Sequence, residues 1–368
     1  MNRTTYFKRL DYELQTIPSS PFSSVSYQST AKQAVCMPIT QFIDGKPHQA
    51  IEALFNVAHS GREKHCGLGS AFLEQAYTNR NSGLYLKIVP ETSKEIPDFF
   101  IRFTLTAEQP ALFDHNYIEI ADNASARITL YVDTESTAPA PFYRNGLIKI
   151  AVGKNATVEI LKIQNCADTA VCFETVRMDV HEKAHVQVHD VYIGSEKTGT
   201  SYSSHIHGDN ADVHITPLYF VDKKRRMDIE HNLIIDGMQT VSEIAARGAV
   251  KNEAHKVFRG NIFFNKGCSG STGRFSDTSI MLDKRVSGVT IPTIFCDEDD
   301  VVGEHAASFV AIDKEKLYYL MSRGFDEVNA KKLIVESAFR SVFDSIQDDE
   351  LKLKLNTEFS ERLAAETV

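Results

Sequence analysis

No stretch of this chain approaches the roughly 20 consecutive apolar residues that a bilayer-spanning helix needs. The N-terminal MNRTTYFKRLDYELQ has no apolar core of secretory-leader length, so the expectation is a cytoplasmic protein with no membrane partner. Cysteine is sparse: Cys36, Cys66, Cys166, Cys172, Cys268 and Cys296 are scattered over 368 residues with no CxxC pair. That spacing argues against a disulfide framework and fits reduced thiols. Tryptophan is absent, which decides nothing. Positive charge is also short, since 40 basic residues against 49 acidic ones leave a net charge of −9. Polyanions are repelled on average, and no nucleic-acid partner is expected. The one basic run, Lys223 to Arg226, has no aromatics interleaved and reads as a solvated turn. There is no GxxxxGK[ST], GxSxG or HExxH, which removes a P-loop, a nucleophile elbow and a zincin site. The glycine-rich stretch from Gly267 to Gly273 lacks a strand–turn–helix context and reads as a flexible loop.

What is present is a repeat. With 42% hydrophobic residues the chain can bury a substantial core. Residues 1–20 read as a short helix with Tyr6, Phe7, Leu10 and Leu14 on one face, stopped before Pro18. Residues 1–110 as a whole form a mixed α/β region. Asp44-Gly45 marks a turn there, Ala50 to Phe55 a helical turn or two, and the runs Gly83–Val89 and Phe99–Leu105 two strands. From residue 111 the segments at 122–130, 153–161, 181–188 and 208–215 can be laid over one another, with a weaker copy at 251–258. Each is a polar turn, a small residue, and a strand of strict alternation. Ala126, Ala156, Ala184 and Ala211 recur every 27 to 30 residues, a spacing that marks stacked units. Val158, Ile160, Val186, Val188, Val213 and Ile215 then face inward. The expected fold is mainly β: a right-handed parallel β-helix-like core over residues 111–312. A jelly roll would also give short alternating runs, but not the fixed period.

Helices return over residues 313–368. Asp313 is placed to cap a first one bearing Leu317, Leu320 and Met321, with Gly324 just past its last turn. Asp326 caps a second with Ala330, Leu333, Ile334, Ala338, Val342 and Ile346 on its stripe. Leu351, Leu355, Phe359 and Leu363, four apart, suit docking on a surface of this chain or of a partner.

Two groups of residues could carry chemistry. His185 and His189 lie four apart on a strand and are expected to face outward, with His205, His207 and His214 one coil on. Imidazoles on adjacent strands can share a zinc or iron ion, as a metal-dependent β-helix or cupin-like enzyme would require; a histidine-rich polar face is the plain alternative. The second group lies at the end of the β region. Glu304 and His305 form a carboxylate–imidazole pair, the equipment of general acid–base catalysis. Small residues follow His305, and Cys296 lies nine positions upstream. Thiolate, imidazole and carboxylate are also the ligands that hold iron or an iron–sulfur cluster. On spacing alone a structural histidine is the heavier reading of His305, and Cys296, after Ile294 and Phe295, is more often a small buried hydrophobe.

The blocks VFRGNI (257–262), VTIP (289–292), GEHAAS (303–308) and LYYLMSRGF (317–325) occur in this order. They resemble the SufB/SufD family of iron–sulfur cluster assembly proteins, and VSEI (241–244) with Arg247-Gly248 resembles the segment that precedes them. The likeness is densest from about residue 225 to 346. It implies a β-helix core flanked by helical regions and a non-catalytic scaffold that works with a SufC-like ABC ATPase. It further implies a transient iron–sulfur cluster at the interface with a SufB-like paralogue or a second copy of the chain; a flavin is neither required nor excluded. His305 falls on the family's SufD histidine, while the SufB cysteine position falls on Asp277, which favours a SufD-like role; Glu304 is the more SufB-like feature. ATPase contacts are expected on the helices after Asp313, with Leu317, Tyr318, Met321, Arg323 and Phe325 as candidates. His305 then supplies half of a site whose other half lies on a partner.

Overall fold

A computed structural model describes residues 10, 12, 14, 17, 25–46, 67–92, 95–135 and 141–365. In chain order the early strands are β1 (Ser26–Ser29), β2 (Ala34–Pro38), β3 (Leu84–Ile88), β4 (Asp98–Leu105), β5 (Ala111–Leu112) and β6 (His115–Ile120). Next come β7 (Ser125–Thr134), β8 (Tyr143–Val152), β9 (Thr157–Cys166), β10 (Val171–Val180), β11 (His185–Gly194), β12 (Lys197–Ile206) and β13 (Asp212–Val221). The last are β14 (Arg226–Ile235), β15 (Val241–Val250), β16 (His255–Phe264), β17 (Ser271–Met281), β18 (Ser287–Cys296) and β19 (Val301–Val310).

From β7 onward successive strands alternate between two sheets. The first runs β1-β4-β7-β9-β11-β13-β15-β17-β19 and the second β18-β16-β14-β12-β10-β8-β6-β3-β2, with β5 beside β8. Only the outer pairs β1–β4 and β2–β3 are antiparallel among the described residues. The fold is therefore a two-sheeted parallel β-solenoid of about eight turns, and the parallel ladders exclude a jelly roll.

The register explains the repeat. Val158 pairs with Val186 and Val186 with Val213, so one apolar column runs unbroken through the interior. All six valines and isoleucines expected inside are buried. The turn residues Asn123, Asn155, Lys183 and Asn210 hold φ between 54° and 62°, a left-handed conformation that asparagine tolerates better than most residues. The small residue that follows each is Ala124, Ala156, Ala184 or Ala211, all buried. The expected ladder therefore needs one correction: Ala126 pairs with Val158, inside the strand, and Ala124 occupies the close-approach position. The turn asparagine fixes the register, and strand alternation alone does not reveal it. The weaker copy at 251–258 has the same turn, with Asn252 at φ 61° and Ala254 buried, but it leads into β16 of the second sheet and so does not continue the same column.

The outer face of the first sheet is covered by the chain's own C-terminal helices, Glu327–Ser345 and Asp349–Ala364. Val335, Phe339, Val342, Phe343, Leu351, Leu355 and Phe359 pack on Tyr131, Leu161, Ile163, Val191, Ile193, Leu218 and Phe220. The stripe of the first of these helices is partly the expected one: Ala330, Val342 and Ile346 are buried, but Leu333 is exposed and Val335 and Phe339 are buried as well. Asp326 does cap it, accepting from Asn329 N at 2.7 Å. The shorter helix Lys314–Ser322 is capped by Asp313, followed by Gly324 at φ 98°, and buries no residue.

Other expectations resolve as follows. Asp44-Gly45 is a turn. The stretch at 267–270 is a tight turn and Ser271 already opens β17, so it is not a loose loop. The 223–226 run is a turn, but Arg225 is buried on Asp168 and Asp222 rather than solvated. The helical readings over most of 1–20 and at 50–55 lie outside the described residues.

Candidate functional site

Position along the strands sorts the interior of the solenoid into two halves, since Val186 and Val188 share parity with Asp190 and Tyr192 on β11. Toward one side lie the apolar columns; toward the other, wholly buried charges form a chain. Arg144 donates to Asp114 from Nε and Nη2, both at 2.8 Å, and to Glu174 from Nη1 at 2.6 Å. Lys162 bridges Glu174 and, at 2.9 Å, Asp190. Tyr192 donates to Asp190 at 2.6 Å, and His231 lies 3.6 Å from the same carboxylate. Burial raises Asp190 to about 6 against the pull of Lys162. Burial alone would raise Glu174 too, but Lys162 and Arg144 hold it at about 2.

Further along the axis Lys256 bonds Asp277, Ser279 and Thr290, and Tyr219 donates to Asp277 at 2.6 Å. Burial lowers the Lys256 ammonium, with Asp277 opposing. Sequence reasoning missed Lys256 as an interior group. The signal was available, because it shares parity with Phe258, Gly260, Ile262 and Phe264, all of them buried.

Beyond this network the solenoid stops. Among the described residues β18 and β19 each pair on one side only, leaving two edges of ten residues each. Val289, Val302, Phe309 and Val310 are exposed there. His305 pairs in register with Phe275, a buried interior residue, and Cys296 with Phe264. In-register residues of parallel strands share a face, so His305 and Cys296 both belong to axis-facing columns, on opposite sheets of the last coil. Both are exposed because no further coil covers them. Cys296 is thus not the buried hydrophobe its neighbours allowed, and its Sγ donates to Glu298 O at 3.0 Å.

Glu304 pairs in register with Arg274 and accepts from its Nε at 3.0 Å, on the outer face. Neighbours on a strand point to opposite faces, so Glu304 and His305 do not work as an acid–base pair. Asp277 sits on the interior column one strand behind, in register with Ala307.

The other histidines divide. His185 and His189 lie on β11 in the first sheet, His205 and His207 at the end of β12 in the second, so these four cannot surround one ion. His189 is half-buried and His205 buried, although both share the outward parity of their strands, opposite the interior Val188 and Ile206. His185 lies 3.7 Å from Asp212, and His214 bonds Asp212 at 2.8 Å and Glu243 at 3.3 Å. Tyr318, Met321, Arg323 and Phe325 are exposed, and Leu317 is half-buried.

Residues 103–338, more than half of the chain, match the family model for the SUF system FeS cluster assembly SufBD core domain. The chain belongs to the SufBD family. SufBD relatives named iron-sulfur cluster assembly SufBD family protein occur in Staphylococcus epidermidis (strain ATCC 12228), Staphylococcus haemolyticus (strain JCSC1435) and Staphylococcus aureus (strain USA300). Each is 27% identical over 270 residues, covering 72% of this chain and 56% of the relative. The chain therefore spans little more than half the length of the SufBD relatives it matches. No described helix is long and apolar enough to cross a membrane.

Proposed function

We propose that this chain is a scaffold subunit of a SUF-type complex that builds a nascent iron–sulfur cluster at the open end of the solenoid. The partner across that end is a SufB-like paralogue or a second copy of the chain, and the cluster is cargo held only in passing. The observation that carries this reading is the position of His305: axis-facing, exposed, and on an edge strand that pairs on one side only among the described residues. A long open edge beside exposed apolar residues is an aggregation liability unless another chain covers it. Covering it would also desolvate His305 and Cys296, an imidazole and a thiol of the kind iron–sulfur clusters accept. We assign the SufD-like side, because Asp277 stands where the resemblance expects a SufB cysteine and is committed to Lys256. The free thiols at Cys36, Cys166, Cys172, Cys268 and Cys296 fit a reducing cytosol.

His305→Ala, co-expressed with the SUF components of its host, is expected to strip iron and acid-labile sulfide from the purified complex while leaving the urea midpoint unchanged. Wild-type iron and sulfide in that variant would sink the assignment.

The scaffold hydrolyses nothing itself; that step belongs to a SufC-like ABC ATPase seated on the helix Lys314–Ser322 and the turn after it. Its exposed Tyr318, Tyr319, Met321 and Phe325 offer an aromatic-rich anchor of the type that dominates interfaces. Truncation after residue 312 is a poor test, since it would also bare the first sheet's apolar face. Tyr318→Ala combined with Phe325→Ala is the cleaner one. It is expected to abolish co-purification of the ATPase from co-expressing cells without lowering thermal stability, and undiminished co-purification would show that the contact lies elsewhere.

A further inference from the structure

We propose that Asp179, His205 and His207 bind one divalent transition-metal ion on the outer face of the second sheet. This site is separate from the open end: β12 lies three strands from the edge strand β18, roughly 14 Å at the usual strand spacing.

The sheet register builds it. Asp179 and His205 are direct partners on adjacent parallel strands, so their side chains leave the same face one strand apart. His207 follows two positions later, just past the end of β12. One ligand atom from each of the three lies within 4.8 Å of the others. Zinc–ligand bonds of about 2.0–2.1 Å put tetrahedral ligand atoms about 3.4 Å apart. His207 Nε2 and Asp179 Oδ1 already stand 3.4 Å apart, and small side-chain rotations bring in His205, whose ring centroid is 5.8 Å from that of His207.

A second observation points the same way. His207 Nδ1 lies 3.0 Å from Asp236 Oδ2, one coil further on, and Asn265 donates to the other oxygen of Asp236 at 2.7 Å. Metal-binding histidines characteristically give their second N–H to a carboxylate, which fixes the tautomer and aims the free nitrogen at the ion. With the proton on Nδ1 facing Asp236, the Nε2 lone pair faces the Asp179 carboxylate. Two acceptors at that distance repel unless a positive charge lies between them. A proton would make His207 an imidazolium held by two aspartates; a metal ion would also draw a ligand atom from His205, which lies within 4.8 Å of the other two.

Lys149 holds Asp179 Oδ2 and Arg177 Nε donates to Oδ1 at 3.0 Å, so the ion would take a single carboxylate oxygen, Oδ1, and share it with Arg177. Two imidazoles and one carboxylate oxygen remain, with the other positions open to water. Imidazole-rich sets of this kind suit zinc, iron, nickel and copper rather than magnesium or calcium. Asp236 is a positioning residue here, acting through His207.

The test is a Co2+ titration of the purified full chain, read by ligand-field absorption and displaced with Zn2+. The wild type is expected to take up one equivalent with visible bands and no thiolate charge-transfer band. His207→Ala, at an exposed position that should not disturb folding, is expected to weaken binding at least tenfold. Asp236→Asn is expected to weaken it about 10- to 100-fold, the usual loss for an outer partner of a ligand histidine, with the band positions kept. His305→Ala should leave the titration unchanged. No saturable uptake below millimolar Co2+, unaltered binding by His207→Ala, or loss of binding in His305→Ala would each overturn the proposal. Because the readout is metal binding by the isolated chain, its failure is separate from failure of the scaffold reading.

Discussion

Arg144→Met is expected to destabilise the protein by about 3–5 kcal/mol, the usual cost of removing one partner from a buried ion pair. Arg144 is 1% exposed and sits between Asp114 and Glu174, which are 0% and 2% exposed. Methionine fills much of the volume but leaves Asp114 with a buried charge and no counter-ion. Lys162 can still neutralise Glu174, so the damage concentrates on Asp114. Against a typical stability of about 5–15 kcal/mol, the variant should lose a large part of its urea midpoint or accumulate insoluble. Arg144→Lys should recover only part of the loss, because a single ammonium cannot reproduce three fixed N–H contacts. Adding Asp114→Asn to Arg144→Met removes the orphaned charge and should restore more stability than Arg144→Lys does. A urea midpoint within error of wild type for Arg144→Met would mean that the interior ion network does not hold these coils together.

That network also marks where the sequence stopped being legible. The strands β7, β9, β11 and β13 announce themselves, because each opens with alternating valine, isoleucine or leucine after an asparagine- or lysine-bearing turn. Most of their partners in the second sheet do not; only β16, after the turn at Asn252, shows a weaker copy of the pattern. The segment KTGTSYSSHI, which forms β12, is buried over nine of its ten residues yet has only Tyr202 and Ile206 as large apolar groups. Several of its hydroxyls are satisfied by polar groups beside them: Gln164 donates to Thr198 at 2.9 Å, Ser201 to Glu230 at 3.3 Å and Asn232 to Ser203 at 3.0 Å. Apolar alternation therefore reveals one strand per coil and hides the other, so a repeat of 27 to 30 residues was readable while its two-sheet construction was not. The candidate site divided in the same way. Residue blocks located His305 and Cys296, but only the register shows that both line the axis and that Glu304 turns outward to Arg274. Nor could sequence reveal that His205 and His207 lie on a different sheet from His185 and His189, since that depends on the strand that alternation conceals.

The second large effect expected is acid lability that begins well above the carboxylate range. Burial first, then Arg80, lowers His115 to about 3, and burial first, then Lys162, lowers His231 to about 3. Both rings therefore stay neutral in the folded protein while the unfolded chain protonates them from about pH 6.5 downward. The unfolded state then binds more protons, so stability falls as pH falls. Asp190 works in the opposite direction, because its raised folded value of about 6 lets the native state take up a proton first. Glu174, held at about 2, rejoins the histidines once the pH passes below the ordinary glutamate value. From these four groups the slope is about 1.4 kcal/mol per pH unit near pH 5, rising to roughly twice that between about pH 4 and 3.5. Urea unfolding at fixed pH values between 7 and 4 measures it directly. His231→Phe retains a ring to stack on Tyr202, now 5.2 Å away between centroids, and removes one titrating group. The variant should lose about one proton from the pH dependence and, near pH 5, where Asp190 then cancels His115, become nearly independent of pH. An unchanged slope in His231→Phe would show that this histidine is not the buried neutral group on which the argument depends.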